Sequence, residues 1–428
     1  MLQCPVAMLM RASDAMASAV IGGPIAATRE ALGHSTLDAR ALLWLLLLHE
    51  RARGTSSRWA GYIASLPKEE LVPSLPLHWS TVQLERLAGT PLYEQARTAR
   101  EALKDFYERV VVCCLRERWP DAFPADVFSW EGLCWGHAIF WSRALAVELD
   151  GRAEECLVPA VDLCNHRPGS THELRIHRSR VDHRSDGEAD SNDSGGANDG
   201  CGGGGGGSIR RVYQLIASRA VRAGEEVLIN YGAKGNGELL RDHGFVLPAN
   251  NADVHELVLG NLGNLDANTY RARVAILSLA ALPTRHFLFL DGLPPSLLAS
   301  ARILCATTDA DVQAASAPPS PVQWDWSNVD WDADDPFLQC GSGDGGVLSA
   351  AGEKRTLEAL LALVDTRLLG LPTEQSVQWG DAANAGAPPQ QGSDAYCLMA
   401  AQVYVRGQRA VLQYARDALA ARRDAADL

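Results

Sequence analysis

Two polar segments of this sequence carry side chains whose types and spacing could perform chemistry. The first, residues 162–166, reads Asp-Leu-Cys-Asn-His and follows the apolar stretch 157–161. The second, residues 224–232, reads as a turn and a strand that ends in Tyr231. A carboxyl group, an amide, an imidazole and a phenol can together bind a polar ligand or orient a reacting group. We therefore begin with these segments as a candidate site.

Taken by itself, the first segment allows three interpretations. Asp162 and His166 are four residues apart, so they could hold a metal ion from one face of a helix. They could instead belong to a nucleophilic triad, or Asn165 and His166 could close a turn by bonding to nearby backbone. The metal interpretation lacks further clustered ligands, and the triad lacks a Gly-x-Ser-x-Gly elbow. We expect no bound metal, and a lone tyrosine at a strand end is usually a packing residue.

The net charge indicates which classes of partner the chain can bind. The 428 residues include 39 Lys+Arg and 52 Asp+Glu, which gives a net charge of −13. Such an acidic surface repels phosphate backbones, so nucleic acid is an unfavourable partner and a basic segment of another protein is a better one. We expect a monomer that acts on a protein substrate.

The cysteines and apolar runs bear on the compartment. The ten cysteines form no CxxC pair, which fits a reducing environment with free, mostly buried thiols. The strongest apolar run, 41–48, is much shorter than the roughly 20 residues that a membrane helix needs. We expect a soluble protein without membrane association, and the chloroplast, cytoplasm and nucleus all stay open as its location.

Helical patterns occupy both ends of the chain and strand patterns its middle. Helices are expected over 41–48, 97–118, 129–147, 268–282, 296–305, 354–369 and 395–422. Short strands are expected around 211–216 and 227–231, and a strand or a strand followed by a turn at 157–161. The glycine-rich stretch 184–208 reads as a disordered loop. This order predicts an α+β fold and not the alternating pattern of a parallel sheet.

Taken together, the two polar segments are specific. Asp-x-x-Asn-His at 162–166 is followed by Glu-Glu-Val-x-Ile-x-Tyr-Gly at 225–232, then by Asn-x-Glu-Leu-Leu and Gly-Phe within 236–245. This combination resembles the C-terminal half of a SET domain, in the variant of the Rubisco large-subunit lysine methyltransferase family, which also includes an actin-histidine methyltransferase. Similarity extends to Ser142-Arg143 upstream and to segments within 270–305 and 353–357 downstream.

The resemblance implies a split SET β-fold with a helical insertion, followed by an all-α C-terminal substrate-binding domain. The implied boundaries are 1–30 for a remnant of the N-terminal SET portion, 31–154 for the helical insertion, 155–250 for the C-terminal SET portion with the loop 184–208, and 251–428 for the helical substrate-binding domain of the Rubisco methyltransferase type.

The resemblance also implies an activity, a cofactor and roles for individual residues. The activity is protein methylation, most naturally of lysine, with S-adenosylmethionine as the cofactor. Tyr231 is the implied catalytic residue. The implied cofactor-binding residues are Arg143, Asp162, Asn165, His166, His243, Gly244 and Phe245, and the implied substrate channel contains Ser142, Arg143, Asp162, Tyr231 and His243.

The chain departs from the family pattern in two places. A SET domain opens with a strand pair and a glycine turn that contacts the cofactor, and Met8 to Pro24 resembles the segment that follows them. We therefore expect the opening strands to be missing. The plant-type lysine enzymes also carry a second tyrosine where this chain has His243, which puts the identity of the acceptor in question.

Three hypotheses follow from these observations. The first is an active protein methyltransferase that modifies lysine or, as an alternative, histidine. The second is a catalytically impaired SET-fold module that only binds a protein partner, which the missing opening strands motivate. The third is an unrelated metal-dependent hydrolase that uses Asp162 and His166, and this hypothesis predicts a bound metal.

Overall fold

The computed structural model describes residues 2–68, 71–149, 151–181, 208–316, 348–373 and 389–426. The loop predicted at 184–208 lies outside these residues except for Ser208. The chain divides into two compact units. The first unit comprises Met1–Leu66 and Val112–Tyr231, and the second comprises Pro67–Val111 and Gly232–Leu428.

Helices dominate both ends of the chain, as the sequence predicts. The α-helices are α1 (Ala12–Ala17), α2 (Gly22–Leu32), α3 (Ala39–Ala52), α4 (Ala60–Ser65), α5 (Thr81–Glu85), α6 (Pro91–Phe106), α7 (Trp130–Arg143), α8 (Asn236–Glu238), α9 (Ala267–Leu279), α10 (Pro295–Cys305), α11 (Asp309–Ser316), α12 (Ala350–Gly370) and α13 (Asp394–Ala426). Two segments, Tyr107–Arg116 and Leu239–His243, are π-helical.

The strands form small separate sheets. They are β1 (Leu2–Pro5), β2 (Leu145–Leu149), β3 (Arg152–Cys156), β4 (Asn165–His166), β5 (Glu173–Val181), β6 (Ser208–Ile216), β7 (Leu228–Ile229), β8 (Val254–Val258) and β9 (Arg285–Phe289). β1, β6 and β5 make an antiparallel sheet in that order. β2 pairs with β3 and β8 with β9 in antiparallel fashion, whereas β4 and β7 are parallel.

In the first unit, helices α3 and α7 begin at side-chain caps. The Asp38 carboxylate accepts from the backbone N–H of Ala41 at 2.9 Å, and the Ser129 hydroxyl accepts from that of Gly132 at 3.1 Å. Each cap satisfies a donor that the first turn of a helix leaves without an intrahelical partner. Asp38 is thus the N-cap residue of α3, and Ser129 is that of α7.

Glycine lets α7 lie close to α3. A Cβ at Gly136 would be 3.4 Å from the carbonyl oxygen of Trp44, which is tighter than most Cβ contacts. The helix ends at Arg143, because Ala144 turns to φ −62° and ψ 134° and the chain enters β2. The sequence pattern extended this helix to 147, but Val147 lies in the strand. A few apolar residues do not show by their spacing whether they belong to a helix or to a strand.

Strands β1, β2, β3, β6 and β7 of the first unit contribute side chains to one apolar cluster. Its fully buried members include Leu9, Val158, Val161, Leu215 and Ile229. The half-buried Tyr231 packs against this cluster. Burial of these side chains holds the segment 157–164 and strand β7 on the same core, although more than 60 residues separate them in the sequence.

The first strand bears on the predicted start of the fold. Residues Leu2 to Pro5 form a strand that pairs with Val212 to Leu215 of β6. The expectation that the opening strand pair is missing is not confirmed.

The second unit contains the long C-terminal helices. α12 and α13 pack on each other and on α10 around a cluster that includes Leu360, Val364, Val411 and Leu412. The helices expected at 354–369 and 395–422 are thus present and are longer at both ends. The prediction of an all-α block needs one correction, because β8 and β9 form an antiparallel pair there. Strand β9 lies between two helical patterns and is only five residues long, so it gave no separate signal.

Among the residues that the structure describes, no helix combines the length and the apolar character that crossing a bilayer requires.

Candidate functional site

The two polar segments meet in a short parallel pairing. Asn165 of β4 is opposite Leu228 of β7, and His166 is opposite Ile229. The backbone N–H of Arg167 extends the pairing by donating to the carbonyl of Ile229 at 2.9 Å. Parallel strands need a long connection, and here the sequence between 166 and 228 supplies it. The pairing therefore brings into contact two segments that lie far apart in the sequence.

Tyr231 is held on His166 and Cys164. The backbone N–H of Tyr231 donates to Nδ1 of His166 at 3.0 Å, and the phenol hydroxyl donates to the carbonyl oxygen of Cys164 at 2.7 Å. The two rings stack with centroids 5.0 Å apart and planes 30° apart. Because Nδ1 accepts this bond, the neutral imidazole carries its proton on Nε2.

The Tyr231 phenol stays neutral at physiological pH. Burial raises its pKa to about 12, Cys164 and Asp162 act in the same direction, and Arg143 acts against them. A neutral phenol whose proton is donated to a carbonyl still offers oxygen lone pairs as acceptors. Tyr231 can therefore orient a donor group, and it cannot serve as a phenolate base near pH 7.

Asp162 closes a tight turn that precedes β4. Its backbone N–H donates to the carbonyl of Val158 at 3.1 Å, and its Oδ2 accepts from the Val158 N–H at 3.2 Å. Within the turn, Ala160 has a φ of 72°. This left-handed conformation costs a non-glycine residue about 1 kcal/mol or more, and such strain persists where the surroundings fix the backbone. The two hydrogen bonds between Val158 and Asp162 hold the turn in this conformation.

The Asp162 carboxyl is buried, with 4% of the residue exposed. Burial raises its pKa to about 7, whereas the Tyr62 hydrogen bond and the Arg143 charge lower it. Tyr62 of α4 donates its phenol hydroxyl to Oδ2. Oδ1 is buried and has no hydrogen-bond partner among the described residues. A buried acceptor in this state is destabilising unless another group supplies a donor.

Arg143 reaches Asp162 from the end of α7. Its Nη1 donates to the backbone carbonyl oxygen of Asp162 at 2.8 Å, and its Nε is buried without a partner among the described residues. The neighbouring Ser142 donates its hydroxyl to the carbonyl of Ala138 in its own helix at 2.8 Å. The helix end thus brings a guanidinium group to the turn. The predicted role of Ser142 in a substrate channel stays a prediction.

Asn165 lies at the exposed edge of the pairing. Its Nδ2 donates to Oε1 of Glu226 at 2.6 Å, just before β7. This bond ties the two segments together by side chains as well as by backbone. Asn165 itself is exposed.

His243, Gly244 and Phe245 belong to the second unit. They form the end of the π-helical segment and the turn after it, where Gly244 has a φ of 72°. A Cβ at Gly244 would collide with the Ser74 hydroxyl, so the position requires glycine. The rings of His243 and Phe245 lie 6.1 Å apart. Their assignment to the cofactor pocket and the substrate channel stays a prediction.

The structure therefore brings together Arg143, Asp162, Asn165, His166 and Tyr231 within the first unit. It adds Tyr62, which the sequence reasoning did not single out. Tyr62 is one residue in a six-residue helix, 100 positions before Asp162. A single phenol in a short helix has no periodic signature, so no local signal could have found it.

Within the described ranges, no group of three His, Cys, Asp or Glu side chains is close enough to hold a metal ion.

Comparison with models of known protein families finds no match. Sequence relatives do exist. The chain is 26% identical over 214 residues to a ribosomal lysine N-methyltransferase of Schizosaccharomyces pombe, which covers 49% of this chain and 32% of that protein. It is 29% identical over 219 residues to the chloroplastic ribulose-1,5-bisphosphate carboxylase/oxygenase large subunit N-methyltransferase of Pisum sativum, covering 50% of this chain and 38% of that protein.

A third relative is the actin-histidine N-methyltransferase of Canis lupus familiaris, 25% identical over 291 residues, or 65% of this chain and 42% of that protein. The matches to these three relatives thus span about a third to two-fifths of the relatives' length.

Solved structures share the fold. The SET domain of LSMT bound to lysine and AdoHcy superposes with a TM-score of 0.69 at 21% identity, covering 100% of this chain and 82% of that one. Rubisco LSMT bound to sinefungin and monomethyllysine gives a TM-score of 0.66 at 19% identity, covering 100% of this chain and 83% of that one. The predicted α+β SET fold and the predicted resemblance are confirmed.

Proposed function

We propose that this chain is an S-adenosylmethionine-dependent protein methyltransferase that modifies a side-chain nitrogen. One observation carries the proposal: the β4–β7 pairing joins Asn165-His166 to the segment that ends in Tyr231, and His166 and Tyr231 are hydrogen-bonded. The names of the sequence relatives, which are lysine and histidine N-methyltransferases, support the same activity.

The residues at the turn fit the proposed cofactor. S-adenosylmethionine carries cationic groups, a carboxylate and hydroxyl donors. Asp162 Oδ1 is a buried acceptor without a partner among the described residues, and Arg143 Nε is a buried donor in the same state. Arg143, Asp162, Asn165 and His166 are the residues that would hold it. When bound, the cofactor supplies a methyl group on a cationic sulfur.

Tyr231 would act on the acceptor nitrogen by orientation. Its hydroxyl proton is donated to the Cys164 carbonyl, so its oxygen can accept from an amine N–H or a polarised C–H group. Alignment of this kind is the principal task in a displacement reaction. Because the pKa of Tyr231 is raised to about 12, the residue takes no proton near pH 7.

The acceptor must therefore arrive neutral. A lysine with a pKa of about 10.4 needs roughly 4–5 kcal/mol to lose its proton near pH 7, whereas a histidine with a pKa of about 6.5 needs almost none. Burial and a nearby cation lower the pKa of a lysine and supply part of this energy. We propose lysine as the acceptor, in a basic segment that complements the acidic chain, with histidine as the alternative.

The experiment combines binding and transfer. Calorimetry measures S-adenosylmethionine binding, and labelled cofactor measures methyl transfer to a lysate, whose labelled product is mapped by mass spectrometry to lysine or histidine. Tyr231→Phe keeps the ring and removes the hydroxyl, so we expect transfer to fall about 100-fold while cofactor binding persists.

Tyr213→Phe is the matched control, because this buried tyrosine of β6 belongs to the same apolar cluster. It should transfer methyl groups like the unmodified chain. Binding that is absent at saturating cofactor, together with no transfer, would overturn the proposal. Binding without any transfer, equal in all three proteins, would favour the protein-binding module instead.

A further inference from the structure

The two oxygens of the Asp162 carboxyl have different surroundings. Oδ2 accepts from the phenol of Tyr62 and from the backbone N–H of Val158 at 3.2 Å. Oδ1 is equally buried and has no hydrogen-bond partner among the described residues. The carboxyl is thus fixed by one oxygen, which leaves the other as an acceptor that the fold itself does not use.

Charged and titratable groups reach this carboxyl from several elements. Arg143 comes from α7, and its Nη1 donates to the backbone carbonyl of Asp162. Cys4 comes from β1, and burial raises its pKa to about 11. Cys164 and Tyr231 are also neutral near pH 7, because burial raises the pKa of both groups. Among these groups of the described residues, Arg143 is the cation that acts on Asp162, and its hydrogen bond goes to the backbone.

Tyr62 is a donor whose state does not change near neutral pH. Burial and the neighbouring Asp162 raise its pKa well above 10, so the phenol keeps its proton. The residue is buried in α4, and the preceding Trp59 donates its indole N–H to the Met8 carbonyl at 2.8 Å. The short helix is thus anchored on the N-terminal segment, and the phenol is presented to Asp162 from a fixed position.

We propose that Tyr62 is a positioning residue for the cofactor: its phenol favours the ionised form of Asp162 and orients Oδ1 for a cationic group of S-adenosylmethionine. This inference rests on the proposed function. It assigns a task to a residue of the helical region that precedes the SET motifs, and it predicts selectivity for the charged part of the cofactor over the adenosine part.

The effect of Tyr62→Phe follows from the lost hydrogen bond. A hydrogen bond to an ionised group changes an equilibrium by about ten- to a hundredfold, so the pKa of Asp162 should rise by about one to two units. Starting from a pKa of about 7, the ionised fraction at pH 7 then falls about 5- to 50-fold. Binding of S-adenosylmethionine should weaken by the same factor at pH 7 and recover toward pH 9.

The probes are S-adenosylmethionine and 5′-methylthioadenosine, which keeps the adenosine part and lacks both the sulfonium and the amino acid. Calorimetry from pH 6 to 9 compares the unmodified chain, Tyr62→Phe and the control Tyr213→Phe. We expect Tyr62→Phe to lose affinity for S-adenosylmethionine alone, and the control to bind both probes normally. Equal weakening of both probes, or unchanged S-adenosylmethionine binding, would overturn the inference.

A second variant keeps the test decisive if Tyr62→Phe fails to fold. Asp162→Asn should bind S-adenosylmethionine weakly at every pH and 5′-methylthioadenosine normally, and adding Tyr62→Phe to it should change nothing further. An Asp162→Asn protein with a normal pH profile for S-adenosylmethionine would refute the inference. If the unmodified chain itself fails to bind S-adenosylmethionine, the proposed function is refuted, and the two failures are thereby distinguished.

Discussion

Replacing Asp162 by asparagine should make stability less sensitive to pH. The substitution keeps the shape of the side chain and an oxygen that can accept from Tyr62 and Val158. It removes the charge from a group that is 4% exposed. The amide nitrogen would occupy the place of Oδ1, where the described residues offer no partner. This unpaired donor costs about 1–3 kcal/mol at every pH.

The pH-dependent part has the opposite sign. The pKa of Asp162 rises from 3.8 in the unfolded chain to about 7 in the folded one. Below pH 3.8 the carboxyl is neutral in both states and contributes nothing. As pH rises toward 7, the unfolded chain ionises first, so the folded state loses stability, up to about 4 kcal/mol above pH 7. Asparagine removes this loss, so the variant should gain about 2–3 kcal/mol relative to the unmodified chain between pH 5 and pH 8.

Hydrogen exchange of peptides from the first unit is the suitable assay, because a chain of two units need not unfold in one step. The free energy of opening is compared for both proteins at pH 5 and pH 8. Asp126→Asn is the matched control, since Asp126 is exposed in the same unit and water solvates its charge in both states. A difference that does not change between the two pH values, or that grows against the variant at pH 8, would refute the reasoning.

Two further predictions concern the packing of glycines and a largely buried ion pair. Gly407→Ala should destabilise the fold by about 1–3 kcal/mol, because the new Cβ would collide with Asp253 Oδ2. Gly61→Ala should stabilise the fold by about 0.5–1 kcal/mol, because a Cβ at that position meets nothing within 4 Å. Urea unfolding midpoints check both variants, and an equal effect at the two glycines would contradict the steric argument. Glu353→Gln removes the negative charge from a largely buried pair in which Arg302 Nε and Glu353 Oε1 lie 2.7 Å apart, and it leaves the Arg302 charge uncompensated. We therefore expect a loss of about 3 kcal/mol in thermal unfolding, and a loss below 1 kcal/mol would mean that water reaches the pair.

The helical parts of this fold are the ones that sequence could predict. The stripe of Leu357, Leu360, Leu361 and Val364 indicates α12, because residues three and four apart share a helix face. The sheets were harder. β4 and β7 have two residues each, which is too short for any alternation to register. The helix pattern through Val147 failed because Leu145 and Val147 of β2 follow α7 directly and continue its apolar pattern over too few residues to reveal a change of period.

The candidate site was predicted in part. The sequence selects Asp162, Asn165, His166 and Tyr231 as polar side chains next to apolar segments, and the pattern they form resembles a SET domain. It says nothing of which atoms meet. That the Tyr231 N–H goes to His166, and its hydroxyl to the Cys164 carbonyl, depends on the β4–β7 register.

The sequence by itself determined the features that are written into neighbouring residues: the long helices, the acidic balance and the two polar segments. Only the tertiary structure decided that Tyr62 donates to Asp162, that Arg143 reaches the same turn, and that Oδ1 is left without a described partner. The physical reason is chain distance. A helix face repeats every few residues, whereas a contact across 100 residues exists only after the intervening chain has folded, and a single phenol carries no periodic trace of it.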